Sequence, residues 1–167
     1  ARAKRGMGTF ALSKVTEAWP KPFPADRPIT ALRIFRVIDK STPDIDRPKV
    51  GAGLGSPGRE VLGTVPVERD GSAYFEVPAR TPVYFQALDK SGHAVQTMRS
   101  VVYLQPGERE SCIGCHEDRH KSPSLPTQVR ALQRAPSSIT PEPSGSKPFN
   151  YLELVQPVLD AKCVKCH

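Results

Sequence analysis

The chain is short of the features that would assign it quickly. No apolar run approaches the ~20 residues of a membrane-spanning helix, so it carries no direct membrane span. No excess of one charge fills its middle. Formal charge is +4 over residues 1–27, zero over 28–120 and +3 over 121–167, together the +7 of the whole. The basic ends read as solvated surface and no nucleic-acid partner is implied. The basic start Ala1-Arg2-Ala3-Lys4-Arg5 is followed by no apolar segment or small-residue cleavage site, so no signal peptide is visible. Histidine is scarce, with 4 residues, and none of the 4 cysteines lies outside two five-residue segments.

Those segments are Cys112-Ile113-Gly114-Cys115-His116 and Cys163-Val164-Lys165-Cys166-His167. Cys-x-x-Cys-His is the attachment signature of c-type haem. Two thiols three positions apart reach the two vinyl groups of one porphyrin, and the next residue offers its imidazole to the iron. Cys112, Cys115, Cys163 and Cys166 are therefore the expected covalent anchors, with His116 and His167 as iron ligands. A zinc site with four thiolates also uses two Cys-x-x-Cys halves, but has no need of a His behind each. Short-loop disulfides or a thioredoxin-like pair fit poorly, because Cys112 follows a Pro-Gly turn and a charged stretch where a redox pair opens a helix after a parallel strand.

The 18 prolines and 12 glycines favour short strands and turns over long helices. Residues 1–27, ending in Trp19-Pro20-Lys21-Pro22-Phe23-Pro24, read as a Pro-rich connector. From Thr30 the pattern is of β runs divided by turn residues: 30–39, 60–68, 73–77, 83–88, 94–98 and 100–104. Asp70-Gly71 predicts a hairpin between the second and third, and Asp89-Lys90-Ser91-Gly92 divides the fourth and fifth. Residues 40–59, rich in Gly and Pro, read as a long loop able to cover a cofactor. The expected fold is mainly β, a small antiparallel β-sandwich over 28–121 that carries the first haem segment. Residues 122–146 read as a flexible Ser/Pro-rich linker. Over 147–167, Asn150 and Glu153 suggest a capped helix start, with Leu152, Val155 and Leu159 at helical spacing and Pro157 as a kink. This short C-terminal helix running into Cys163 reads as the truncated start of a cytochrome c-like domain. A haem cannot be enclosed by a chain ending at its own ligand, so the sequence reads as a fragment cut on both sides.

The run Val95-Gln96-Thr97-Met98-Arg99-Ser100, then Gln105-Pro106-Gly107-Glu108, then Ser111 through Glu117, together with Asp70-Gly71-Ser72-Ala73 and Ala87-Leu88-Asp89, resembles the middle domain of hydrazine synthase alpha subunits. The resemblance covers about residues 28–121. It implies a β-rich domain with one covalent haem, set between a propeller-like and a cytochrome c domain. In the hydrazine-forming members, the resemblance further implies, the motif His binds zinc and a Tyr four residues later ligates the haem iron. Here that position is His120. Either His116 binds the iron and His120 lies at the surface, or His120 takes the Tyr role. If the segment is helical, His116 and His120 share one face and can share a metal such as zinc.

The iron's sixth position separates electron transfer from ligand chemistry. Candidates in the chain are His93, Met98 and His120, with Tyr74, Tyr84 and Tyr103 able to pack on a porphyrin. The leading reading is a fragment of a multihaem c-type cytochrome that transfers electrons to a redox partner protein or neighbouring domains, in the periplasm or an equivalent extracytoplasmic compartment of a bacterium. The alternatives are a haem-dependent redox enzyme subunit acting on small nitrogen compounds, or a structural β-domain joining catalytic domains.

Overall fold

In the computed structural model, residues 6–39, 43–44, 58–118, 120–122, 128–143, 151–164 and 166 are described. Among these residues seven strands run in the order β1 (Met7–Leu12), β2 (Ile29–Val37), β3 (Arg59–Pro66), β4 (Ala73–Pro78), β5 (Val83–Asp89), β6 (Ala94–Thr97) and β7 (Arg109–Cys112). They make two sheets, β4-β1-β7 and β3-β2-β5-β6. All pairings are antiparallel except that of β1 with β7. The mainly β fold with a short C-terminal helix is the expected one. The loop expected over 40–59 lies mostly outside the described residues, as does the expected helix cap at Asn150.

The core is filled from both sheets by alternating side chains: Phe10 and Leu12 of β1, Leu32 and Ile34 of β2, Phe75 and Val77 of β4, Val83 and Phe85 of β5. Phe85 meets Phe10 and Phe75 edge-on, with centroids 5.2 and 5.3 Å apart. Each such contact contributes about 0.5–1.5 kcal/mol beyond area burial.

Several boundaries differ from the sequence reading. The supposed connector 1–27 contains β1, the central strand of its sheet, with Phe10 and Val15 fully buried. Its period-2 pattern is only six residues long and is flanked by charge, which hides it in composition. The Asp70-Gly71 turn forms, with the Glu68 amide donating to the Ser72 carbonyl at 2.8 Å, but β3 and β4 then diverge into different sheets. Residues 100–104 form no strand and leave a single bridge, Val83 to Val102. The pairing of β5 with β6 around Asp89–Gly92 matches expectation.

The expected linker 122–146 is in part a strap bound to the sandwich. Its 3₁₀ turn, Arg130–Gln133, is held by Asp70 and Ser72, which accept from the Arg130 and Ala131 amides at 2.9 and 3.0 Å. Ser137 then bonds to Tyr74 and Glu76 of β4, and Thr140 to Thr64 of β3. The strap thus occupies edges of both sheets, where unpaired backbone groups would otherwise stand open. Gly63, at a bulge with φ of 137°, admits the Thr140 carbonyl where a Cβ would collide with it. Ion pairs Arg134–Glu68 and Arg33–Glu142, at 2.8 and 2.6 Å, fix both ends.

Residues 151–164 form a π-helical turn, Tyr151–Val155, and a helix α1, Gln156–Lys162. Pro157 stands in the first turn of α1, where its missing N–H costs no bond, so it starts a helix and does not kink one. Neither element buries a side chain.

Candidate haem site

The first Cys-x-x-Cys-His segment is fixed by backbone pairing. Cys112 ends β7, alongside Leu12 of β1. The parallel contact continues past both strands: the amides of Ser13 and Lys14 donate to the carbonyls of Cys112 and Ile113, at 3.0 and 2.7 Å, and the Cys115 amide donates to the Glu17 carbonyl at 3.0 Å. The Trp19 amide then reaches the His116 carbonyl at 2.8 Å. Gly114 is required here, because a Cβ would meet the Glu17 and Lys14 carbonyls. Glu117 closes the turn, its Oε1 accepting from the Ile113 and Gly114 amides at 2.9 and 3.2 Å.

This corrects the helical reading of the segment. His116 is bridged to Ala18 in extended form and His120 follows an Asp118 turn, so the two imidazoles do not share a helix face. Among the described residues no group of three or more His, Cys, Asp and Glu is placed to hold a metal ion. Zinc, whether on four thiolates or on the His116–His120 pair, has no assembled site among them.

Cys112 and Cys115 are half-buried and pack against the core. Burial pushes the Cys115 thiol up to about 11, with a smaller push from Cys112. Cys112 is raised in the same way, by burial and then by Glu110 and Glu117. Redox-active and zinc-binding cysteines need the thiolate, which cations or a helix N-terminus supply. This pair has acidic neighbours, which is poor for either role and no obstacle to a neutral thiol joined to a vinyl carbon.

Cys115 and His116 border an open groove of about 1190 Å³, above the ~300–1,000 Å³ usual for small-ligand sites and roomy enough for a porphyrin. One wall is Trp19, its ring 6.3 Å from the His116 imidazole. Another is the outer face of the larger sheet, where Tyr84 stacks on Phe35 at 4.7 Å. Met98 lines the groove, its amide anchored to the Phe85 carbonyl at 2.9 Å. His93 lies in the β5–β6 turn and His120 is exposed beyond Asp118; neither lines this groove. Of the tyrosines only Tyr84 borders it, Tyr74 being buried in β4 and Tyr103 exposed. The donor set and the groove fit a covalent haem.

Sequence reading missed Trp19, Lys21, Arg59 and Glu117. Glu117, directly behind the motif, carried a local signal, since a carboxylate there can cap the turn. Trp19 was the lone tryptophan of a supposed connector, and Arg59 reaches the groove only through strand register.

The second segment is presented differently. Cys163 caps α1, its amide donating to the Leu159 carbonyl at 2.7 Å, and Cys166 bonds back to Cys163. Both cysteines are exposed. His167 lies outside the described residues.

The hydrazine synthase subunit alpha of Kuenenia stuttgartiensis is 26% identical in an alignment covering 83% of this chain and 25% of that protein. A solved structure of hydrazine synthase from the same organism matches with a TM-score of 0.72 at 23% identity, covering 99% of this chain and 30% of that one, which establishes a shared fold. The chain therefore spans about a quarter to a third of the relatives it matches. The model of the hydrazine synthase alpha subunit middle domain matches residues 29–117, more than half of the sequence, and the chain belongs to that family.

Proposed function

We propose that this chain is the haem-bearing β-domain of a hydrazine-synthase-alpha-like redox subunit, with Cys112 and Cys115 as thioether anchors and His116 as iron ligand. The observation that carries this is the opening of the groove onto Cys115 and His116, with the backbone of the Cys112–His116 turn held by β1, residues 13–19 and Glu117. A bound haem supplies a one-electron iron couple and, where a coordination position stays open, a seat for a small ligand. The chain's own residues do the rest. Residues 13–19 and Glu117 hold the attachment turn rigid, Trp19 and Tyr84 wall the groove on two sides, and Met98, which lines the same groove, would offer its thioether to a bound haem. Cys163, Cys166 and His167 would hold a second haem when the flanking chain encloses it. Because haem is attached covalently outside the cytoplasm, the proposal puts this chemistry in the periplasm or an equivalent bacterial compartment, with electrons passing to neighbouring domains or a redox partner.

Electron transfer is the function these residues support best. The second reading, an enzyme site for small nitrogen compounds as the relative's name suggests, draws on the openness of the groove. To decide, the chain with Cys163 and Cys166 changed to Ala is produced with a cytochrome c maturation system. Covalent haem surviving denaturation is expected, and its absence refutes the site. Low-spin bands unmoved by carbon monoxide in the reduced chain support electron transfer; a carbon monoxide shift moves the enzyme reading ahead.

A further inference from the structure

Among the described residues the charged lining of the groove has one sign: Lys21, Arg59 and Arg99 all border it and no described aspartate or glutamate does, although residues 28–120 are neutral as a whole. The three come from separate parts of the chain: the segment after β1, the first residue of β3, and the turn after β6. Arg59 is the most firmly placed. Its register opposite Val37 of β2 sets its guanidinium carbon 5.1 Å from the centroid of Tyr84, which in turn lies flat on Phe35. Guanidinium, phenol and phenyl thus form one stack across three strands, and the stack pre-orients the cation. Three like charges around one concavity, without an acidic partner among its lining, repel each other and attract an anion.

The porphyrin expected at this site has matching polarity. Its vinyl edge would be tied to Cys112 and Cys115, and the edge of a haem away from its vinyls carries two carboxylates. We infer that Arg59, helped by Lys21 and Arg99, is the carboxylate-binding end of the groove, where it orients the macrocycle and favours the ferrous state. This inference rests on the haem reading above. Arg59 acts as a positioning residue here: it pairs with the periphery of the group and leaves the iron to others.

The test uses the full chain with haem attached, in the Cys163→Ala, Cys166→Ala background, and reads the ferric-to-ferrous ratio at a fixed redox poise. Arg59→Gln is expected to shift the ratio roughly fivefold toward ferric, the size expected of one partly solvated charge. Arg59→Lys should restore most of the shift, since it keeps the charge. Arg69→Gln removes the same charge from an exposed turn that does not line the groove, and should change the ratio by less than about half as much. Equal effects of Arg59→Gln and Arg69→Gln overturn the inference, as does a wild-type ratio that moves as far when inorganic phosphate is added, because the cations would then be open to a free anion. If the wild-type chain attaches no haem, the proposed function fails first and the inference with it.

Discussion

The two Cys-x-x-Cys-His segments share a spacing and almost nothing else. The first leaves a β-strand, is paired residue by residue with 13–19, and has its cysteines half-buried against the core. The second follows a π-helical turn and a seven-residue helix that bury no side chain, with Leu152 of the turn 72% and Val158 of the helix 57% exposed. One motif is built into a folded domain; the other is displayed on an element with no buried side chain of its own. The same five-letter signal therefore points to one kind of group and says nothing of the scaffold that presents it.

The widest separation between the two should come from deletion. Removing residues 7–20 takes away the central strand and Phe10, Leu12 and Val15, and should abolish cooperative unfolding by calorimetry; removing 151–167 should leave the transition within about 0.5 kcal/mol of the parent. Thiol labelling of the haem-free chain comes next. At pH 8 Cys163 and Cys166 should react first and Cys115 on the order of a hundredfold more slowly, because its raised thiol keeps little thiolate; equal rates by mass spectrometry would dissolve the contrast. Gly114→Val should cost roughly 3 kcal/mol or more in urea unfolding and prevent haem attachment at the first motif, whereas Val164→Ala, at a 59% exposed position of the second, should stay within about 0.5 kcal/mol. The smallest effect sharpens the first motif alone. Glu117→Gln retains an acceptor for the two amides and should lose about 1 kcal/mol or less, while Glu117→Ala leaves both amides unpartnered and should lose about 1–3 kcal/mol.

How much of this was legible follows from where each signal resides. Strands β3 and β4 place apolar residues at alternate positions, and β5 is a short apolar run between turn formers, so all three were readable. Strand β7, Arg-Glu-Ser-Cys, has no such pattern; backbone pairing with β1 makes it a strand, and that pairing is a tertiary fact. The strap fails for the opposite reason: Ser and Pro suggested a linker, but its amides have specific partners in Asp70 and Ser72, 60 and 59 residues distant. At the candidate site, the cysteines and the histidine of the motif are written locally and are readable as a pattern. The groove around them is assembled from strand register, as with Arg59 opposite Val37, and from the N-terminal segment, so no local pattern announces it.

The strap also sets a leash. With Glu142 fastened to Arg33, the eight peptide steps from Pro143 to Tyr151 reach no further than about 28 Å at full extension. Whatever conformation those residues take, Tyr151 stays within that radius of the end of the strap, and the helical segment from Tyr151 to Cys163 adds about 18 Å to the reach of the second motif. A tether of that length corresponds to a local concentration in the millimolar range, so any encounter between the two motifs is independent of dilution.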